Sequence, residues 1–273
     1  MCPFEAEGVQ DPTIVYCDDA DLGYAFVVES FGKFNNDSFI KGTIAATEAL
    51  GVARFGKNVF MADGGRVTAD RIKIGPASSL FEVYGNTVVT ASDAIVRAGP
   101  PLSPIPSLPA MNQSCAELAD LEGKSCSGED VTVPAGTTRT NLAPGVYGRL
   151  FIQEGAILRL LDLGSYSFCS IRMDRYSSLR PAQQVTINVV PVPGTVSLGA
   201  GAIMTTDSNL PFVLNVGGPL LRISQGAYVN ASVRVPYGKI KIQRSGHIDG
   251  CACAATIKTD KNITLTCDDG TVP

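Results

Sequence analysis

A chain of 273 residues that is 45 % apolar has enough material for a real core, which excludes a disordered polypeptide. A formal charge of -4, from 22 Lys+Arg against 26 Asp+Glu, speaks against nucleic acid or an anionic membrane as the main partner. No run approaches the roughly 18 consecutive apolar residues that would span a bilayer, and 28 Gly, 17 Pro and no Trp leave little room for helices.

Residues 1–24 read as an N-terminal cap. Met1-Cys2-Pro3-Phe4 leads straight into polar sequence without a visible signal peptide, so the chain is either cytosolic or a processed form. Asp18, Asp19 and Asp21 crowd beside Cys17. Clustered carboxylates suit a hard cation, but a solvated acidic loop is the simpler account, and no metal or cofactor is expected.

Residues 25–98 carry alternating segments at 25–29, 39–44, 49–53, 59–62, 67–74, 80–83 and 87–90, separated by glycines that can turn corners. They are expected to form the first coils of a solenoid. At 99–109 the run GPPLSPIPSLP cannot donate a continuous ladder and should be extended polyproline II. The only short helix expected lies at 114–121, ended at Gly123. Residues 99–130 are therefore an insertion, an arm or strap beside the solenoid, stapled by Cys115 and Cys126. Residues 131–273 form the main coils and a C-terminal cap.

A nine-residue word carries the fold argument. Residues 240–248 (IKIQRSGHI) place apolar side chains at positions one, three and nine, a turn at four to six, and a small residue at seven. The same word starts at Val59, Ile72, Leu150, Ile171, Val196, Leu221 and Ile257, with Ile263 the large exception at position seven and Thr259 the one non-apolar residue at position three. From Leu150 the starts are 21, 25, 25, 19 and 17 residues apart, suited to rungs that bury their faces only against neighbours. The expected fold is an all-β, right-handed parallel β-helix. An antiparallel sandwich would alternate as well, but has no reason to repeat one corner chemistry.

Cysteines and site residues come next. Eight cysteines with no neighbouring histidine read as disulfides rather than metal ligands. The local pairs Cys2–Cys17 and Cys115–Cys126 are expected, with Cys267 joining Cys251 or Cys253; Cys169 suits a bridge or a buried free thiol. His247, the one histidine, faces outward at position eight without a nucleophile motif. No catalytic residue is assigned and no enzymatic activity is expected. The best cluster for a carbohydrate site is Arg172, Asp174 and Arg175, where Arg172 and Asp174 share one outward face; a surface ion pair is the plainer reading. No basic stripe is visible along the chain. Thr132, Thr137, Thr138, Thr140, Thr186, Thr195, Thr205 and Thr206 share no register that would suit ice. Asn36, Asn112, Asn230 and Asn262 head Asn-x-Ser/Thr triplets.

Pro144-Gly145-Val146-Tyr147-Gly148, Gly164-Ser165-Tyr166-Ser167-Phe168 and Asn262-Ile263-Thr264-Leu265 resemble the APGxYG, GxYxF and NxTL phrases of bacterial exported, cell-surface β-helix proteins. The likeness covers residues 131–267 and implies architecture and an extracellular or cell-surface home; it brings no catalytic residues. A more distant likeness, by architecture alone, is to bactofilin-type solenoids that polymerise end to end. Together these lead to a secreted or surface-displayed structural solenoid for filament or coat assembly or adhesion. It would self-associate through its ends or edges, with carbohydrate a possible partner. A polysaccharide-binding or polysaccharide-degrading β-helix, or an ice-binding solenoid, are the alternatives. The last rung, 254–266, is followed by only seven residues and should pack on its own tail or another subunit.

Overall fold

The computed structural model describes residues 26–46, 50–62, 65–97, 121, 126–140, 142–181, 185–207 and 211–267. These residues form a parallel β-solenoid with three walls. The strand pairs all run parallel, and side chains alternate between one shared interior and the outside. The cap at 1–24, the arm with its helix at 114–121, Asn112 and the Cys2–Cys17 pairing lie outside the described residues, apart from Leu121, which is buried.

The first wall begins with Val131–Val133 and adds Arg149–Ile152, Ser170–Met173, Thr195–Leu198, Leu220–Ile223 and residues 239–242 and 256–259. It does not stop there. Residues 31–33 pair with 256–258, and Val52–Phe55, Arg71–Ile74 and Thr87–Thr90 continue the stack. The N-terminal coils thus extend the C-terminal ones, and spatial order is the main coils followed by the first coils. At about 4.8 Å per strand, eleven first-wall strands make a rod about 48 Å long.

The junction is a composite rung. Residues 256–259 and Thr264–Thr266 supply its first two walls; residues 26–28, paired to 252–254, supply the third. The C-terminal rung, expected to pack on its own tail or another subunit, is covered by the molecule's own N-terminal half. Among the described residues, the terminal strands of the stack are Thr87–Thr90 with Ile95–Val96 at one end and Val131–Val133 at the other.

One corner recurs because position six of each rung is left-handed. Gly136, Gly155, Gly201 and Gly226 occupy it at φ 66–67°, and Asp37, Asn58, Ala77, Tyr176, Ser245 and Asn262 at φ 51–57°. Asp and Asn tolerate this region through local hydrogen bonds. The buried residue after the corner is small because it sits against backbone: the Ser78 hydroxyl donates to Gly56 O of the neighbouring corner at 2.8 Å, and that of Ser177 to Asp174 O of its own turn at 2.7 Å.

The corner also corrects the phase of one word. The rung expected to begin at Val59 begins at Ala53, because Ala53 pairs with Ile72 and Val59 sits after the corner. A further rung begins at Gly32, paired with Ala53. Small first residues hid both; their interior is filled instead by Phe34 and Phe55, stacked at 5.4 Å between ring centroids.

Cystine pairing differs from the local expectation. Cys126 joins Cys169, with Cα atoms 5.1 Å apart and 43 residues between them in sequence, so Cys115–Cys126 does not form. Stacking brings the arm's base beside the corner after residue 168. Cys251 pairs with Cys267 as expected, and Cys253 is also disulfide-bonded.

Candidate functional site

Position two of every rung points away from the core, and stacking turns these positions into a straight file. Pair by pair, the register runs Arg222, Lys241, Lys258, Lys33, Arg54, Lys73. Six successive rungs thus present a cation on the first wall. Arg222, Lys258, Lys33, Arg54 and Lys73 are exposed and Lys241 is half-buried. None of the six forms an ion pair among the described residues.

The neighbouring outward file of the same wall carries Lys239, Thr256, Phe31, Val52 and Arg71 beside these cations. No outward residue of the described first-wall strands is acidic. Arg54 and Lys258 both lie over the Phe31 ring, at 5.4 and 5.6 Å from its centroid, so the ring braces two cations across the junction. Two flanking acids are engaged elsewhere: Asp70 pairs with Arg71 at 3.5 Å and Asp130 with Arg149 at 3.2 Å. The Arg149 backbone N–H, first, and then its guanidinium hold the Asp130 carboxyl below the usual carboxylate range.

The residues singled out in sequence as a carbohydrate site do come together, at one end of this file. Arg172 lies two rungs before Arg222, with Ser197 between. Its guanidinium contacts Asp174 at 3.3 Å and covers the Phe151 ring at 4.9 Å. Asp174 and Arg175 line a shallow open depression on the adjoining corner with Glu154, Ser224, Gln225 and Gln243. The depression holds two carboxylates, Glu154 and Asp174, beside Arg175, and Asp174 is already paired with Arg172.

The second wall carries a different surface. His247 meets Tyr228 edge-on at 4.9 Å, and Asp249 accepts from the Tyr228 hydroxyl at 3.0 Å, Asn230 Nδ2 at 3.2 Å and the Thr266 hydroxyl at 2.6 Å. Burial pushes the Asp249 carboxyl up, but the three donors together outweigh it and hold it below its ordinary value. Burial lowers the His247 imidazole, against the pull of Asp249. Further along, Phe39 and Phe60 stack at 5.8 Å and stay partly exposed. No group of three or more His, Cys, Asp or Glu among the described residues could hold a metal ion.

The third wall is covered only in part: its outward residues Ala45, Thr68 and Cys253 are 1 %, 0 % and 6 % exposed, whereas outward Arg66, Val146 and Ser165 are exposed. Outward Asn215 donates to Asn188 Oδ1 at 2.9 Å, and Asn188 donates to the Ser165 hydroxyl at 2.8 Å, a short amide file along that wall.

The cationic file was missed in sequence because its members are scattered, 19 and 17 residues apart and then back across the chain from 258 to 33. Position two of each word was the available signal, and reading it needed the stacking order.

The geometry defines a parallel β-solenoid. No family model and no curated protein matches the sequence. Among solved structures it is similar to the ice-binding protein of the Antarctic ascomycete Antarctomyces psychrotrophicus, at 12 % identity over 90 % of this chain and 95 % of that one, with a TM-score of 0.37.

Proposed function

We propose that this protein is a secreted, non-enzymatic structural β-solenoid that acts in adhesion, laying its first wall along an extended surface or polymer. The observation that carries this reading is register. Outward side chains of successive first-wall strands fall into straight files at about one strand spacing, roughly 4.8 Å, and a repeating file suits a repeating ligand. The outward cations of the first wall are exposed or half-buried, which leaves that wall available for contact. Disulfides support an extracellular home.

A second reading, coat or filament assembly, rests on the terminal rung. Val89, Ile95 and Val96 there are 55 %, 58 % and 40 % exposed on strands that end the stack among the described residues.

Adherence of the labelled full chain to polysaccharide and cell-surface films, measured beside its sedimentation and its effect on ice growth, tests the proposal. Adherence by a monomer is expected. Concentration-dependent filaments without adherence would transfer the role to assembly, and thermal hysteresis without adherence would transfer it to ice.

A further inference from the structure

Resting on that adhesive reading, we infer that the first wall is a binding face for a linear anionic polysaccharide. Its carboxylates or sulfates would lie along the file Arg222, Lys241, Lys258, Lys33, Arg54 and Lys73.

Three observations argue for a polyanion. Like charges directly opposite each other in neighbouring strands repel, and here six successive rungs repeat that arrangement. The file lacks ion-pair partners among the described residues, although the surrounding wall pairs its other arginines with Asp70, Asp130 and Asp174. The chain as a whole is slightly acidic, so the file is a local concentration of positive charge and not part of a generally basic molecule.

Spacing selects the class of polyanion. The file is single and straight, five strand intervals or about 24 Å long, with one charge per roughly 4.8 Å. A pyranose chain bearing one acid group per sugar advances by a similar distance per residue and can lie along the solenoid axis in step with the rungs. Duplex DNA carries a charge every ~1.7 Å and would meet this file out of step. Single-stranded nucleic acid binds through free aromatic faces on which bases stack, and the one aromatic ring beside the file, Phe31, is already occupied by Arg54 and Lys258.

The test titrates the full chain with polygalacturonate, dextran sulfate, unsulfated dextran and a single-stranded oligonucleotide, at low and high salt. Binding to polygalacturonate or dextran sulfate but not dextran, weakening with salt, is expected; the preferred polymer separates carboxylate from sulfate. The triple variant Lys258→Gln, Lys33→Gln, Arg54→Gln should lose affinity on the order of tenfold, a few-fold for each of three exposed charge contacts. Its melting temperature should be unchanged or raised as repulsion is relieved. Lys258→Arg with Lys33→Arg should retain binding and guards against loss through misfolding. Arg139→Gln, Arg159→Gln and Arg180→Gln, on the second wall, remove the same charge and should leave binding intact. Equal weakening by both triple variants would overturn the inference, as would tighter binding to the oligonucleotide. Adherence to films that the first-wall variant does not alter would sink the inference and leave the adhesive reading standing. Adherence to nothing would remove both.

Discussion

Asn35 clasps Thr259 across the junction between the two halves of the chain. Its backbone N–H donates to Thr259 Oγ1 at 3.0 Å, and its side-chain Nδ2 donates to Thr259 O at 2.6 Å. Thr259 is a hydroxyl at a position that the other buried rungs fill with apolar side chains, and it is 3 % exposed. The exception in the repeat marks the rung on which the N-terminal half lands.

Thr259→Val keeps the shape and removes the acceptor for the Asn35 N–H. An unpaired donor at this depth costs about 1–3 kcal/mol, read as a lower urea midpoint with an unchanged slope. Asn35→Ala removes the other bond, from Nδ2 to Thr259 O, and should be destabilising too; because each substitution removes a different bond, the double variant should cost about the sum of the two. A double variant no less stable than either single one would mean that the two bonds do not hold the junction separately.

The corner separates two ways in which glycine is required. At Gly155, with φ 66°, an added Cβ meets nothing within 4 Å. Gly155→Ala should therefore cost only the left-handed penalty, about 1–2 kcal/mol. At Gly218 an added Cβ would lie 1.9 Å from Gly194 O, where two corners stack backbone on backbone. Gly218→Ala should exceed about 4 kcal/mol or prevent folding. Equal melting temperatures for the two variants would contradict this.

His247 makes stability depend on mild acid. Its folded pKa lies below the ordinary 6.5, chiefly through burial. The unfolded chain therefore takes up the proton first, and stability falls as pH drops through about 6.5. Asp249, held below 3.8, contributes stability above that value and loses it as pH falls further, so the two windows are separate. His247→Gln should flatten the melting temperature between about pH 7 and 5 and leave the more acidic loss in place.

Tyr166 gives the opposite limb. Burial first, then the Asp162 and Tyr147 charges, push its phenol up to about 12, against its bond to Asp162 O at 3.0 Å. Above pH about 10 the unfolded tyrosine ionises while the folded one stays neutral, so stability falls as pH rises toward 12. Tyr166→Phe should remove part of that alkaline loss while lowering stability at neutral pH, since Leu142 O also accepts from this hydroxyl at 3.2 Å. An unchanged alkaline profile would assign the loss to other groups.

Individual rungs were legible in the sequence because each is local. Leu150, Ile152, Ala156 and Leu158 sit within nine residues, and their alternation fixes which way they face. Where the first residue was small, as at Gly32 and Ala53, the pattern lost its anchor and the phase at Val59 slipped by half a rung. The cluster of Arg172 with Asp174 was legible because its members are two residues apart. The file from Arg222 to Lys73 was not, because it runs perpendicular to the chain.

By itself, then, the sequence determined what repeats: alternation, the corner, and the inward or outward direction of each side chain. These follow from backbone geometry over a few residues. Only the tertiary structure decided the order in which the rungs stack. A parallel ladder accepts any neighbour of the right shape, whatever its place in the chain, so nothing local tells residue 258 that residue 33 will lie beside it. That choice covers the C-terminal rung, joins the halves through Asn35 and Thr259, and aligns six separate cations into one surface.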